Sequence, residues 1–285
     1  MLGFINVNKP SGMSSSNVVV KIRKSYNIKK VGHMGTLDPM AEGVLPIAIG
    51  KATRMFDYFL DKYKSYRATF QFGMLTDTLD STGIVVDTTN NIPTLEMLQE
   101  VIGRFVGKFA QIPPVFSAKL VNGVRAYKLA RNGETPELKP KNIEITEIKI
   151  LTYIDGLLTV DITCSSGTYI RAIGRDIAKE LNTFCTMTAL TRTQSGIFDI
   201  VNSFAIDEVV QAEDKSCFIT PIEEVFPHFA KIELSDEEFD RLRNGLSIMD
   251  RWNIEGYVFA KHEGNLLGVA EKVDGEIKLK TYLME

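Results

Sequence analysis

Five residues of this 285-residue chain have types and settings that could do chemistry. Asp38 precedes Pro39 in the glycine-rich stretch 32–43 (GHMGTLDPMAEG). A carboxylate on such a loop can serve as nucleophile or base, and it works ionised, with a cation beside it. The same Asp-Pro pair equally suits a helix N-cap with proline at the first helical position. His33, between Gly32 and Gly35, is either an exposed loop residue or a flat ring able to stack on a nucleobase or take its place. Tyr66 lies on the more apolar face of an alternating segment, where core packing competes with a role in a site. Tyr169 and Arg171 follow Ser165-Ser166-Gly167 at a helix start. Arginines mostly lie at surfaces, but a guanidinium so placed suits bidentate pairing with a carboxylate or phosphate.

Other chemistries are disfavoured. Gly50-Lys51-Ala52-Thr53 looks like the end of a phosphate-binding loop, but Ala52 intrudes and Leu45 stands where the earlier glycine belongs. His33, His228 and His262 have no ligand spacing, so neither a metal nor another cofactor is expected. Cys164, Cys185 and Cys217 lie far apart and fit a reducing, cytoplasmic compartment rather than a disulfide framework. Residues 1–10 lack a signal-peptide pattern, and no apolar run approaches the ~20 residues of a membrane helix.

The elements that must hold these residues follow from periodicity. Phe4–Asn8 reads as a strand ended by Lys9-Pro10-Ser11-Gly12, and Val18, Val19, Ile22 and Tyr26 mark a helix capped within 14–16. Residues 32–43 read as a loop, Val44–Ile49 as a buried strand and Thr53–Leu60 as a helix. In 64–73, Tyr66, Ala68, Phe70 and Phe72 alternate with Ser65, Arg67, Thr69 and Gln71, the pattern of a half-buried strand. Leu95 to Phe105 is amphipathic, Asn122-Gly123 signals a hairpin, and 144–151, 157–164 and 186–200 read as strands. Ile170, Ile173, Ile177 and Leu181 mark a further helix, 221–225 and 236–243 look helical, and short strands separated by glycines follow Gly256. Strands and helices do not alternate regularly, which favours α+β: a mixed, mostly antiparallel sheet with flanking helices, plus a small β-rich C-terminal unit reached through Pro227.

The formal net charge is −3 and the pI about 5.8, which read globally speaks against a nucleic-acid partner. By segment the balance changes. Residues 1–54 carry 8 Lys/Arg against 2 Asp/Glu, and so does the window 104–141; residues 205–285 carry 9 against 18. Two basic stretches therefore sit on an acidic chain.

In order along the chain stand NKPSGMSS (8–15), GHMGTLDPMAEGVLP (32–46), GKATR (50–54), KSYRA (64–68), PPVFSAKLVNGVRAYKLAR (113–131), SSGTYIRAIGRD (165–176) and LTRTQSGIF (190–198). This ordered set resembles the TruB-type tRNA pseudouridine-55 synthases from about residue 3 to 200. RNGLSI (243–248) and the strands around it are similar to the small PUA-like RNA-binding domain of bacterial members. The resemblance implies a pseudouridine synthase fold over 1–226, with an RNA-gripping insertion at about 105–142, and a PUA-like domain over 230–285. It implies a monomeric isomerase, free of metal and cofactor, that flips uridine 55 out of the tRNA T loop and rejoins it to its ribose through carbon. Asp38 is then the essential carboxylate, Tyr66 stacks on the base and helps remove the C5 proton, and Arg171 pairs with Asp38. Tyr169 and Leu190 line the base pocket, and His33 fills the space the base vacates. Lys9, Lys119, Arg125 and Arg192 are the expected RNA contacts. One departure is Leu190-Thr191-Arg192, where many members carry two consecutive basic residues after the leucine. A protein that only refolds tRNA would need none of Asp38, Tyr66 and Arg171.

Overall fold

The computed structural model describes all residues except 60–62, 118, 122, 135 and 285. β1 (Gly3–Lys9) leads through a tight turn into α1 (Ser15–Tyr26), where the Ser14 side chain accepts from the Asn17 N–H. β2 (Val31–His33) and β3 (Glu42–Ile49) flank the Asp38 loop. β4 (Lys64–Phe72) is the strand its alternation predicts. β5 (Met74–Thr76) and β6 (Val85–Thr88) form a hairpin that the periodicity did not reveal. After α2 (Leu95–Ile102) come β7 (Gly107–Gln111), β8 (Leu120–Val121), β9 (Val124–Arg125) and α3 (Ala126–Arg131). β10 (Lys141–Ile154), β11 (Leu157–Cys164), α4 (Ile170–Glu180) and β12 (Cys185–Ser195) follow. β13 (Phe198–Asp199), β14 (Phe204–Ala205), α5 (Ile206–Gln211) and α6 (Ile222–Val225) complete this part.

Ten strands form one sheet in the order β14-β1-β3-β12-β4-β11-β10-β7, with β2 added to β3 and β13 to β12. Pairing is parallel at β1/β14 and β3/β12 and antiparallel at the other junctions, as the α+β expectation required. Helices α1, α2, α4 and α5 bury apolar faces in one cluster with Ile5, Leu45, Phe70 and Val160 of the sheet. Of the candidate side chains, Tyr66 lies on β4 and Leu190 and Arg192 on the neighbouring β12.

Three local expectations need correction. His33 ends the short strand β2, in register with Ile47 of β3, rather than lying in a loop. Residues 50–59 form a 3-10 helix, not an α-helix. Ala52, Met55 and Tyr58 are buried, and their spacing of three matches the 3-10 period; Leu60 lies outside the described residues. The stretch 186–200 is two strands, β12 and β13, turned at Gly196. Within the span 105–142, β7 pairs with β10 as the edge of the main sheet. The β8–β9 pair flanks the expected turn; Asn122 lies outside the described residues.

Residues 230–282 build a second sheet from β15 (Ala230–Glu233), β16 (Ile248–Met249), β17 (Tyr257–His262), β18 (Asn265–Val273) and β19 (Glu276–Tyr282). Its order is β15-β17-β18-β19-β16, and α7 (Asp236–Arg243) carries a capping box of Ser235 and Glu238. This sheet is not loosely tethered. Phe4, Phe59, Phe226, Phe229 and Phe259 share one buried cluster, each worth about 1.5–3 kcal/mol of burial. The Tyr58 hydroxyl meets Thr281 Oγ1 at 2.9 Å, and Lys51 Nζ lies 4.3 Å from the Tyr282 ring centre. No helix among the described residues is long and apolar enough to cross a membrane.

Candidate active site

The Asp38 loop is clamped from below by the first basic motif. The buried Ser15 hydroxyl donates to the Leu37 carbonyl and accepts from the Leu37 N–H, both at 2.9 Å. The Gly12 N–H donates to the Pro39 carbonyl at 2.8 Å, and Ser11 Oγ donates to the Met40 carbonyl at 2.8 Å. Lys9 Nζ reaches the carbonyls of Met13 at 2.6 Å and Pro39 at 3.4 Å. No helix follows Asp38; the Ala41 N–H closes a turn on the Asp38 carbonyl, so the N-cap alternative falls away.

Asp38 is 36% exposed, so its carboxylate faces the opening of the site. Its Oδ2 accepts from Arg171 Nη2 at 2.9 Å, and Arg171 is only 7% exposed. Arg171 projects from the first turn of α4 and uses both ends of its fork. Nη1 donates to the Thr78 carbonyl at 2.9 Å and pairs with Asp80 Oδ2 at 3.4 Å; Nη2 also donates to the Phe116 carbonyl at 3.1 Å. Asp80 is a second acidic partner of Arg171 that no sequence motif marks. Its side chain is 5% exposed, and Oδ1 accepts from Thr78 Oγ1, the Thr82 N–H and Thr82 Oγ1 at 2.8, 3.0 and 2.5 Å. One buried guanidinium thus bridges a fixed interior carboxylate and an exposed one, an arrangement that holds the exposed oxygen in place.

Tyr66 is the third residue of β4, 8% exposed, opposite Ile162 of β11 and Arg192 of β12. Burial raises its phenol above the ordinary value, while Arg192 opposes that rise. Tyr169 precedes α4, and two bonds to Gln111 fix its backbone: its N–H to Oε1 at 2.9 Å and its carbonyl from Nε2 at 3.1 Å. Burial raises its phenol above the ordinary value, opposed by the Ser117 side chain and by the Arg171 charge. Leu190 of β12 is buried opposite Ala68 in the same cluster as Tyr66. His33 is half-buried with Nδ1 enclosed and unpaired; burial lowers its pKa below the usual 6.5, and the Arg192 charge adds to this.

Lys9 and Arg192, expected to contact RNA at the surface, are both fully buried. The Arg192 guanidinium donates from Nε to the Val44 carbonyl at 2.6 Å and from Nη2 to the Gly35 carbonyl at 3.1 Å, bracketing the Asp38 loop. Gly43 makes the β3–β12 approach possible: at φ +100° a Cβ there would stand 2.3 Å from the Arg192 carbonyl oxygen. Lys64, also buried, donates to Ser166 Oγ at 3.0 Å and ties β4 to the segment before α4. Burial lowers Lys9 and Lys64 to about 8 each. Lys119 Nζ donates to the Lys139 carbonyl at 2.7 Å, and Arg125 is exposed on β9. Among the described residues no group of three or more His, Cys, Asp or Glu could hold a metal ion.

Residues 23–170 match the model of the TruB family pseudouridylate synthase N-terminal domain. A tRNA pseudouridine synthase B of Caldanaerobacter subterraneus subsp. tengcongensis is 41% identical over 276 residues, which is 94% of this chain and 95% of the relative. The chain belongs to the TruB family of pseudouridylate synthases. A second family member, the tRNA pseudouridine synthase B of Francisella philomiragia subsp. philomiragia, is 38% identical over 98% of this chain and 94% of its own. The fold is also that of a chain in a Cbf5–Nop10–Gar1 complex, at TM-score 0.74 and 22% identity over 99% of this chain and 85% of the other. Family membership makes this protein a pseudouridine-forming isomerase.

Proposed function

We propose that the protein isomerises uridine 55 in the T loop of tRNA to pseudouridine, with the base flipped in to meet Asp38 and Tyr66. The observation that carries this reading is the exposed Asp38 carboxylate held by the buried Arg171, with Tyr66 set deeper in the same site. The reaction breaks the C1′–N1 bond, turns the base and forms C1′–C5, so the ribose and both edges of the base must be reached. A stacked uridine presents neither, and flipping supplies the access. Asp38 is the essential carboxylate of bond exchange, and Arg171 keeps it in place. Tyr66 stacks on the uracil and takes the C5 proton; Tyr169 and Leu190 wall the base. His33, neutral at pH 7, sits at the margin of the site to occupy the vacated stack.

The insertion, through Lys119 and Arg125, grips the T arm, and residues 230–285 act as a PUA-like RNA-binding unit beside the 1–226 catalytic part. The protein works as a cytoplasmic monomer without a metal. Phosphate contacts release counterions, so log K falls linearly with log salt. Lys119→Gln should lower that slope by about 0.7–0.9 on a T-arm stem-loop while leaving kcat unchanged. An unaltered slope would place Lys119 off the phosphates.

Tyr66→Phe tests the site itself. It keeps the stacking surface and removes the hydroxyl. Binding of the stem-loop should change by less than about threefold, while single-turnover tritium release from C5 slows by about 10²–10⁴, the usual worth of a positioned base. Full-speed turnover would remove the hydroxyl from the mechanism.

A further inference from the structure

Arg192 is an arginine without an acid partner. It is fully buried, and among the described residues no carboxylate pairs with it. Nε and Nη2 are taken by backbone carbonyls, which carry no net charge, and Nη1 is enclosed with no hydrogen-bond partner. A guanidinium keeps its proton even when burial disfavours the charge. An uncompensated buried charge is costly and calls for an explanation. The one acidic group that acts on it is the Tyr66 hydroxyl, directly opposite in the β12–β4 ladder. The clamps on Val44 and Gly35 leave the guanidinium no freedom to turn elsewhere.

We propose that Arg192 is a positioning residue for Tyr66: its free Nη1 is set to bond the phenol oxygen and to balance the negative charge that oxygen bears before it takes the C5 proton. The inference rests on Tyr66 acting as the base. The phenol first loses its proton to water. The phenolate oxygen then takes the proton from C5 while the C–H electron pair returns to the uracil ring, and the phenol so formed is ready for the next cycle. Burial alone pushes such a phenol the wrong way, and a fixed cation is the means of opposing it.

Other charged and titratable groups face this corner. Asp38 and Cys164 act on Tyr66 in the raising direction; Lys9, Lys64 and His33 lie close enough to feel Arg192. Arg192 also acts on Lys9 and Lys64, so the comparison that isolates its effect on the phenol is the one made in a Tyr66→Phe background.

The test measures single-turnover tritium release from a C5-tritiated T-arm stem-loop between pH 6.5 and 10. Arg192→Gln should move the rising limb up by about 1–3 pH units, lose at least about tenfold at pH 7.5, and recover as the pH rises. Replacing Tyr66 by a difluorotyrosine, whose phenol is more acidic, should restore that variant at pH 7.5. In a Tyr66→Phe background, Arg192→Gln should add no further loss. A loss equal at every pH, unrelieved by the fluorinated residue, overturns the proposal and leaves Arg192 as a loop clamp. Arg192→Met removes the charge with an unbranched apolar side chain and serves where the glutamine variant does not fold. With 3-fluorotyrosine at position 66, fluorine NMR should then show a higher phenol pKa than in wild type, and an identical pKa is contrary. Full activity of Tyr66→Phe would overturn the role of Tyr66 itself; a slow Tyr66→Phe with a pH-independent Arg192 loss overturns this step alone.

Discussion

Asp38→Asn is expected to release no measurable tritium from a C5-tritiated T-arm stem-loop, a loss beyond about 10⁴-fold, the scale seen when a covalent or base residue is removed. Binding should stay within about threefold. The reasoning separates two roles of the same side chain. Asparagine fills the volume of aspartate and can still accept from Arg171 Nη2. Arg171 also keeps its second carboxylate, Asp80, so no buried charge is stranded. Because Asp38 is 36% exposed, the lost pairing costs at most about 1 kcal/mol of stability. The variant should therefore fold, bind and fail. Turnover at a rate near wild type would remove Asp38 from the chemistry, whatever the motif around it.

Arg171→Met should fail in a different way, through stability as well as rate. Arg171 is 7% exposed and Asp80 5%, so methionine leaves a buried carboxylate without its cation. Breaking a buried pair from one side costs about 3–5 kcal/mol. For a chain of this size that lowers Tm by roughly 6–20 °C. The Thr78 and Thr82 donors to Asp80 Oδ1 temper the loss but do not replace the charge. Activity falls too, since Asp38 loses the group that orients it. Arg171→Met combined with Asp80→Asn should regain part of the Tm and none of the activity. Melting curves and tritium release on the same preparations separate the two effects. A double variant that regained activity along with stability would show Arg171 to be structural support alone.

The strand signal in 64–73 was legible because alternation has an unambiguous period, and Asp38, Tyr66 and Arg171 were legible as an ordered motif set. Asp80 was not. It lies in Thr76–Thr82, a stretch with no periodicity, and reaches Arg171 only because the β5–β6 hairpin folds back, with Asp80 bridged to Met187 of β12. Lys9, Lys64 and Arg192 are a subtler case. Charged residues are almost never fully buried, so a surface position was the natural reading. Yet the same alternation that turns Tyr66 inward turns Lys64 inward two residues before it, and Leu190 predicts the same for Arg192 two residues after it. Residue type argued for the surface, register argued for the interior, and register prevailed because oxygen acceptors met the charges: backbone carbonyls for Lys9 and Arg192, the Ser166 hydroxyl for Lys64. The C-terminal unit shows the opposite limit. Its strands were marked by glycines, but its attachment through Phe226, Phe229 and Phe259 depends on aromatic residues far apart in the chain.

The most direct test of the account is to incubate an unmodified full-length tRNA transcript with the protein and map pseudouridine at nucleotide resolution. A single new pseudouridine at position 55, formed by the wild-type protein and absent with Asp38→Asn, is the predicted result. No pseudouridine in the T loop, or the same modification with Asp38→Asn, would contradict it.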